Sequence, residues 1–158
     1  MCTAFSQLQA LNRQKMGEAA WTEKIRQARA HLIFCSVMYE EQARRGDYFV
    51  HEHPAGASSW RLPEMVKLTL LPGVERVVGH MCAHGMWQAD DQGPGLIKKA
   101  TGFLTNSPRI AARVGVRCSG GHRHIHLVGG RATHAQEYPD GLCRAICLGV
   151  KEQIEEDE

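Results

Sequence analysis

The chain has 158 residues, 43% of them hydrophobic and 23% charged, with a formal net charge of +2. This is the balance of one soluble globular domain and excludes collagen-like, coiled-coil and disordered chains. A chain of this length buries roughly 68–70% of its unfolded surface and needs no disulfide or metal merely to fold. No apolar run reaches the ~18 residues of a membrane span. The N-terminus lacks the basic, apolar and small-residue segments of a secretory signal, so the reading is an intracellular protein, in nucleus or cytoplasm, with no membrane partner.

A helix is predicted over Glu18–Arg45, because Trp21, Ile25, Ala28, Leu32, Cys35 and Tyr39 recur at steps of three and four and so share one face. Gly46 stops it. Asp47 to His51 reads as a short strand, rich in aromatic and β-branched residues, that Pro54 ends. A short helix is expected from Pro63 to residue 71, then a strand from Val74 to Cys82 after the Pro72-Gly73 turn. Residues 88–95 read as a polar Gly/Pro loop, and Leu96 to Leu104 as another strand. Ser107-Pro108 opens a helix running to Val114, residues 115–130 are irregular, and a last helix follows Tyr138-Pro139 with Leu142, Ile146 and Val150 facing inward. The architecture expected is α/β, a domain over 1–150 followed by an acidic tail at 151–158 that frays.

Charge is unevenly spread. The last eight residues hold five acids and one lysine, which leaves a net of +6 on residues 1–150. No acid lies between Asp91 and Glu137, a stretch that holds Lys98, Lys99, Arg109, Arg113, Arg117, Arg123 and Arg131. Such a block suits a phosphate backbone, because neutralising phosphates releases condensed counterions. A solvated basic face is the other reading of the same residues.

Six cysteines without an export signal read as reduced thiols available for packing, metal binding or nucleophilic chemistry. Cys118, His122 and His124 are metal-ligand types within one loop, and Cys82, His80 or His84 could complete a zinc set. The spacing is not the regular Cys-x-x-Cys of common zinc sites, so a plain histidine-rich turn is the alternative. Cys143 and Cys147 stand one helical turn apart, the spacing of packing residues as much as of ligands.

Six segments follow in a telling order. They are Cys2-Thr3-Ala4-Phe5-Ser6, then Val50-His51-Glu52-His53-Pro54 with Ser58-Ser59-Trp60, then Met81-Cys82-Ala83-His84-Gly85, then Lys98-Lys99-Ala100-Thr101-Gly102-Phe103-Leu104-Thr105-Asn106, then the Cys118/His122/His124 group, and last Ala135-Gln136-Glu137-Tyr138-Pro139 before a helix. In this order they resemble the catalytic, C-terminal half of cytosine-5 DNA methyltransferases of the divergent phage type, as also carried in retroelement polyproteins. The resemblance implies a partial doubly wound, Rossmann-like sheet with flanking helices, its N-terminal cofactor-binding strands missing.

By the same resemblance Cys2 is the nucleophile toward cytosine C6, Glu52 the acid at the ring, and Ser6 a shaper of the catalytic loop. Lys98, Lys99, Thr101, Asn106 and Arg109 are then the residues for DNA contact, and the target base must leave the stack to be reached. His53 stands where the family has asparagine. S-adenosylmethionine is the implied cofactor, held only when an N-terminal lobe or the rest of a larger polyprotein supplies its site. The alternative function is a non-catalytic nucleic-acid-binding module of a mobile-element polyprotein, stabilised by zinc.

Overall fold

The computed structural model describes residues 4–6, 12–127, 135 and 137–158. The elements are α1 (Arg13–Met16), α2 (Glu18–Arg45), β1 (Val50–Pro54), α3 (Pro63–Thr69), β2 (Glu75–His80), β3 (Trp87–Asp90), β4 (Gly93–Leu96), β5 (Ala100–Thr105), α4 (Pro108–Val114) and α5 (Asp140–Asp157). Short 3-10 turns at Ser58–Arg61 and Met81–His84 follow β1 and β2. No described helix is long and apolar enough to cross a membrane.

The chain is mixed α/β. A three-stranded sheet has the order β1-β5-β2, and β5 pairs antiparallel with both neighbours. All the described ladders are antiparallel, where the sequence reading expects a doubly wound sheet of parallel strands. Because both outer strands oppose β5, β1 and β2 run in the same sense, joined by a connection that contains α3. Successive side chains of β5 point to opposite faces. Leu104 enters one core with Phe5, Leu32, Phe49, Met65 and Leu68, and Phe103 enters a second with Met81, Ile110, Val114, Ile125 and Leu142. Helices α2 and α3 thus cover one face and α4 and α5 the other. β1 forms one edge of the described sheet.

Helix α2 has the predicted bounds, and Gly46 closes it in the left-handed conformation (φ 81°) that residues with a Cβ rarely adopt. The predicted polar loop at 88–95 is instead the β3–β4 hairpin, with Asp90 Oδ1 accepting from Gln92 N in its turn. Pro94 is tolerated because this two-stranded ribbon leaves its nitrogen outside a central ladder. The strand expected over 96–104 therefore splits, Leu96 closing β4 and Ala100 opening β5.

The C-terminal end departs from expectation in two places. Leu142 and Ile146 face inward as expected, but Gly149 and Gln153 continue that face in place of Val150, which is 41% exposed. Gly149 is the cause: a Cβ there would lie 2.7 Å from Ile110 Cα, so its missing side chain is where α5 approaches α4 and sets the helix rotation. The acidic tail does not fray, because α5 continues to Asp157. Glu152 and Glu156 pair with Arg113 and Arg109 of α4, and Tyr48 Oη donates to Asp157.

Ser107 joins α4, α5 and the sheet. It caps α4 by accepting from Ile110 N, and its buried hydroxyl donates to Gln153 Oε1 at 2.8 Å. Ser107→Ala removes the cap and leaves buried Gln153 Oε1 with only the longer bond from Arg109 N. The expected cost is about 1–2 kcal/mol, read as a thermal midpoint lower by several degrees; an unchanged midpoint would refute this role.

Candidate metal centre

Strand β2 delivers the chain into the turn Met81–His84, where Cys82 is 5% exposed. The irregular segment after α4 then returns past it. His80 N donates to Val116 O, and Cys118 N donates to His80 Nδ1 at 3.0 Å, which ties the returning segment to the end of β2. Leu96 and His124 form a parallel bridge, and Arg123 grips the hairpin through Asp90, Gly93 O and Pro94 O. Ile125 is buried beneath. With residues 123 and 125 so fixed, alternation turns His122 and His124 together toward Cys118, their rings 4.5 Å apart.

One ligand atom from each of Cys82, Cys118, His122 and His124 lies within 4.8 Å of all the others. Cys118 Sγ is 3.4 Å from His122 Nε2 and 3.5 Å from His124 Nε2. A tetrahedral zinc with Zn–S ≈ 2.3 Å and Zn–N ≈ 2.0–2.1 Å requires sulfur and nitrogen ligands about 3.5 Å apart. The residues therefore fit zinc. Burial, and then hydrogen bonding with Cys118, pushes the Cys82 thiol up, and desolvation, then His122 and Lys98, pushes His124 down. A dication reverses the first and makes use of the second, since it needs thiolate and neutral imidazole. Four protein ligands complete a tetrahedron and leave no open position, the arrangement of a structural rather than a catalytic zinc.

Searches against family models, curated proteins and solved structures return no match for the chain.

Three residues of this candidate group are the predicted Cys118, His122 and His124, and of Cys82, His80 and His84, offered to complete the set, Cys82 is the one brought to them. His80 accepts from Cys118 N, and His84, also buried, lies 3.2 Å from Val114 O by its Nε2. Cys143 and Cys147 are exposed on α5, outside both cores.

The remaining predicted residues are scattered. Cys2 lies outside the described residues. Ser6 is half-buried beside Phe5, whose carbonyl accepts from Ser58 N and whose ring meets His53 edge-on at 6.1 Å. Glu52 is half-buried on β1. Burial pushes its carboxyl above the usual range against the opposing pull of Lys99 and the Tyr138 hydroxyl, which donates to Oε2 at 3.0 Å.

Of the residues assigned to DNA, Lys98 alone stands exposed without a described structural partner. Lys99 Nζ donates to Ala135 O. Thr101 is fully buried. Asn106 accepts from Phe49 N and donates to Asp47 O, bridging the start of β1 to the end of β5. Arg109 is held bidentately by Glu156. Tyr138 and His51, which face Glu52's surroundings, stand within the six ordered segments, but the sequence reading assigned neither a role at a site. A polar residue at a strand position of unknown register carries no signal of which cavity it faces.

Proposed function

We propose that the chain is a zinc-stabilised nucleic-acid-binding module of partial doubly wound α/β architecture, not a self-sufficient enzyme. The observation that carries this reading is the closed Cys82/Cys118/His122/His124 tetrad with cations at its rim. Lys98 and Arg117 are exposed, and both act on His80 beside the ligands; His126 is exposed on the same loop. Zinc bound by two thiolates is formally neutral, so these cations keep their full field toward a phosphate backbone. The layering of helices on both faces and the shared sense of β1 and β2 support the doubly wound assignment.

Salt titration tests the reading. Affinity for duplex or single-stranded oligonucleotides is expected to fall steeply with salt, and the double variant Lys98→Gln, Arg117→Gln to lower the logarithmic salt slope by about 2. Binding that ignores both salt and the double variant, or no binding at low salt, refutes it.

A cytosine-5 methyltransferase-like piece is the second reading, with S-adenosylmethionine supplied through a further lobe. Its support is the packing of Phe5 against His53 and Ala57, which brings residues 4–6 to the end of the strand that carries Glu52. A carboxyl pushed up by burial is the type of group that donates a proton to a ring nitrogen. Calorimetry bears on it in one direction: tight S-adenosylmethionine binding by the 158-residue chain favours this reading over the module, whereas absence of heat is expected of both, because the cofactor comes with the further lobe.

A further inference from the structure

A cavity of about 320 Å³ opens along the edge of β1, between α2 and α5. Its polar lining is His31, Cys35 and Tyr39 from one face of α2, His51, Glu52 and His53 from β1, and Tyr138. It lies apart from the metal ligands, none of which lines it. Two buried polar atoms here have no partner among the described residues, His51 Nε2 and Glu52 Oε1. His51 is only 8% exposed. Unpaired buried groups are costly and rarely kept without a ligand or water to meet them.

We propose that this cavity is a binding site for a small organic cation, a primary amine on an apolar body, held at its ammonium by Glu52, with His51 a further acceptor in the lining.

The sign of the ligand follows from the lining. It contains a carboxyl and neither lysine nor arginine. Lys99 acts on Glu52 from outside the lining, and its Nζ donates to Ala135 O. Tyr138 occupies Glu52 Oε2 and leaves Oε1 open toward an incoming donor. An anion would meet the Glu52 carboxyl, while the nearby Lys99 lies outside the lining and donates to Ala135 O. An ammonium offers three donors and no acceptor, which matches the open Glu52 Oε1.

His51 can accept. Burial, together with His53 and His31, pushes its pKa down to about 4, so it is neutral. Its Nδ1 lies 3.3 Å from the Tyr39 hydroxyl; when Nδ1–H donates to that oxygen, Nε2 carries the lone pair. The rings of Tyr39, Tyr138 and Phe103 line the same space, and an ammonium is drawn to such faces. Leu32, Leu142 and Ile146 give the apolar body its wall. The volume limits that body to a single ring or a short chain.

The pH dependence is set by the groups that face the two anchors. Glu52 is faced by Lys99 and Tyr138, and His51 by Tyr39, His31 and His53. Binding of an amine converts a carboxyl held up by burial into a paired carboxylate. Affinity therefore rises with pH through the titration of Glu52 and levels off above it, until the amine itself loses its proton.

Calorimetry on the zinc-loaded chain with benzylamine, benzyl alcohol, benzoate and cytosine tests the proposal. Benzylamine is expected to bind at least about tenfold more tightly than the other three at neutral pH, and Glu52→Gln to remove about tenfold of that affinity. Ile146→Phe, which fills the cavity and leaves both anchors in place, is expected to abolish the heat. Zinc content and thermal midpoint report whether each variant folds. Equal binding of benzylamine and benzyl alcohol, cytosine as the tightest probe, an unaltered Glu52→Gln variant, or no benzylamine heat at about 10 mM overturns the proposal. These outcomes are independent of oligonucleotide binding, which reads Lys98 and Arg117 beside His80, neither of which lines the cavity.

Discussion

Chelation of zinc, or Cys118→Ser, is expected to lower the thermal midpoint by roughly 8–16 °C. A ligand present at a thousand times its Kd stabilises the folded state by about 4 kcal/mol, and each kcal/mol moves the midpoint of a 150–250-residue domain by about 2–4 °C. The effect reaches beyond the loop. Cys118 is coupled to His80 at the end of β2, and His124 lies next to Ile125, which is buried in the core with Phe103 and Val114. Releasing the ligands frees residues 115–127 and opens that core at its margin. The same variant loses one of two thiolates, so bound zinc is expected to fall from one per chain to substoichiometric on purification. Elemental analysis with thermal melts checks both. A metal-free chain that melts at the same temperature would falsify the centre.

Gly79→Ala is expected to destabilise by several kcal/mol and to weaken zinc binding together. A Cβ on Gly79 would lie 2.1 Å from Val114 O and 3.3 Å from the Phe103 ring. The first neighbour is backbone at the end of α4 and cannot rotate away, so strand and helix must part; overpacking of this kind costs typically 1–3 kcal/mol and occasionally more. The strain falls where the metal centre is assembled. His80 N to Val116 O and Cys118 N to His80 Nδ1 both depend on the 114–118 segment lying close to β2. Gly17→Ala is the control: its glycine has a positive φ of 82° in open space at the start of α2, so strain there is conformational and lies outside both the α4 contact and the metal group. Urea denaturation with a zinc-release assay separates the two, and a Gly79→Ala chain of native stability and zinc affinity would show that the close approach is unimportant.

Acid adds a third dependence. His51 is held neutral by burial, with a pKa pushed down to about 4. The unfolded chain binds this proton more readily, so the contribution of His51 to stability is full above the unfolded histidine pKa of about 6.5 and is lost as pH falls toward about 4. His51→Phe, which cannot take a proton, is expected to flatten that part of the stability profile.

Helix α2 was legible because Ala28 and Leu32 carry a 3.6-residue period over a long span and Gly46 offers a stop. The hairpin at 87–96 was not, since Gly93, Pro94 and Gly95 suppress the alternation that marks a strand, and the pairing rests on cross-strand bonds. The acidic end misled for a related reason. Glu152 and Glu156 read as a solvated tail until α4 brings Arg113 and Arg109 opposite them. The same ion pairs withdraw Arg109 from the set assigned to DNA, while burial withdraws Thr101.

The sequence by itself determined the main helices, the α/β class and three of the four residues of the candidate metal group, because periodicity and a seven-residue loop motif are local properties. Tertiary structure alone decided that Cys82 joins that group, that β5 lies antiparallel between β1 and β2, and that His51 and Glu52 share a cavity with α2 and α5. Each of these joins residues far apart along the chain. Their proximity depends on strand register and on close backbone approaches such as Gly79 to Val114, which no short stretch of residues encodes.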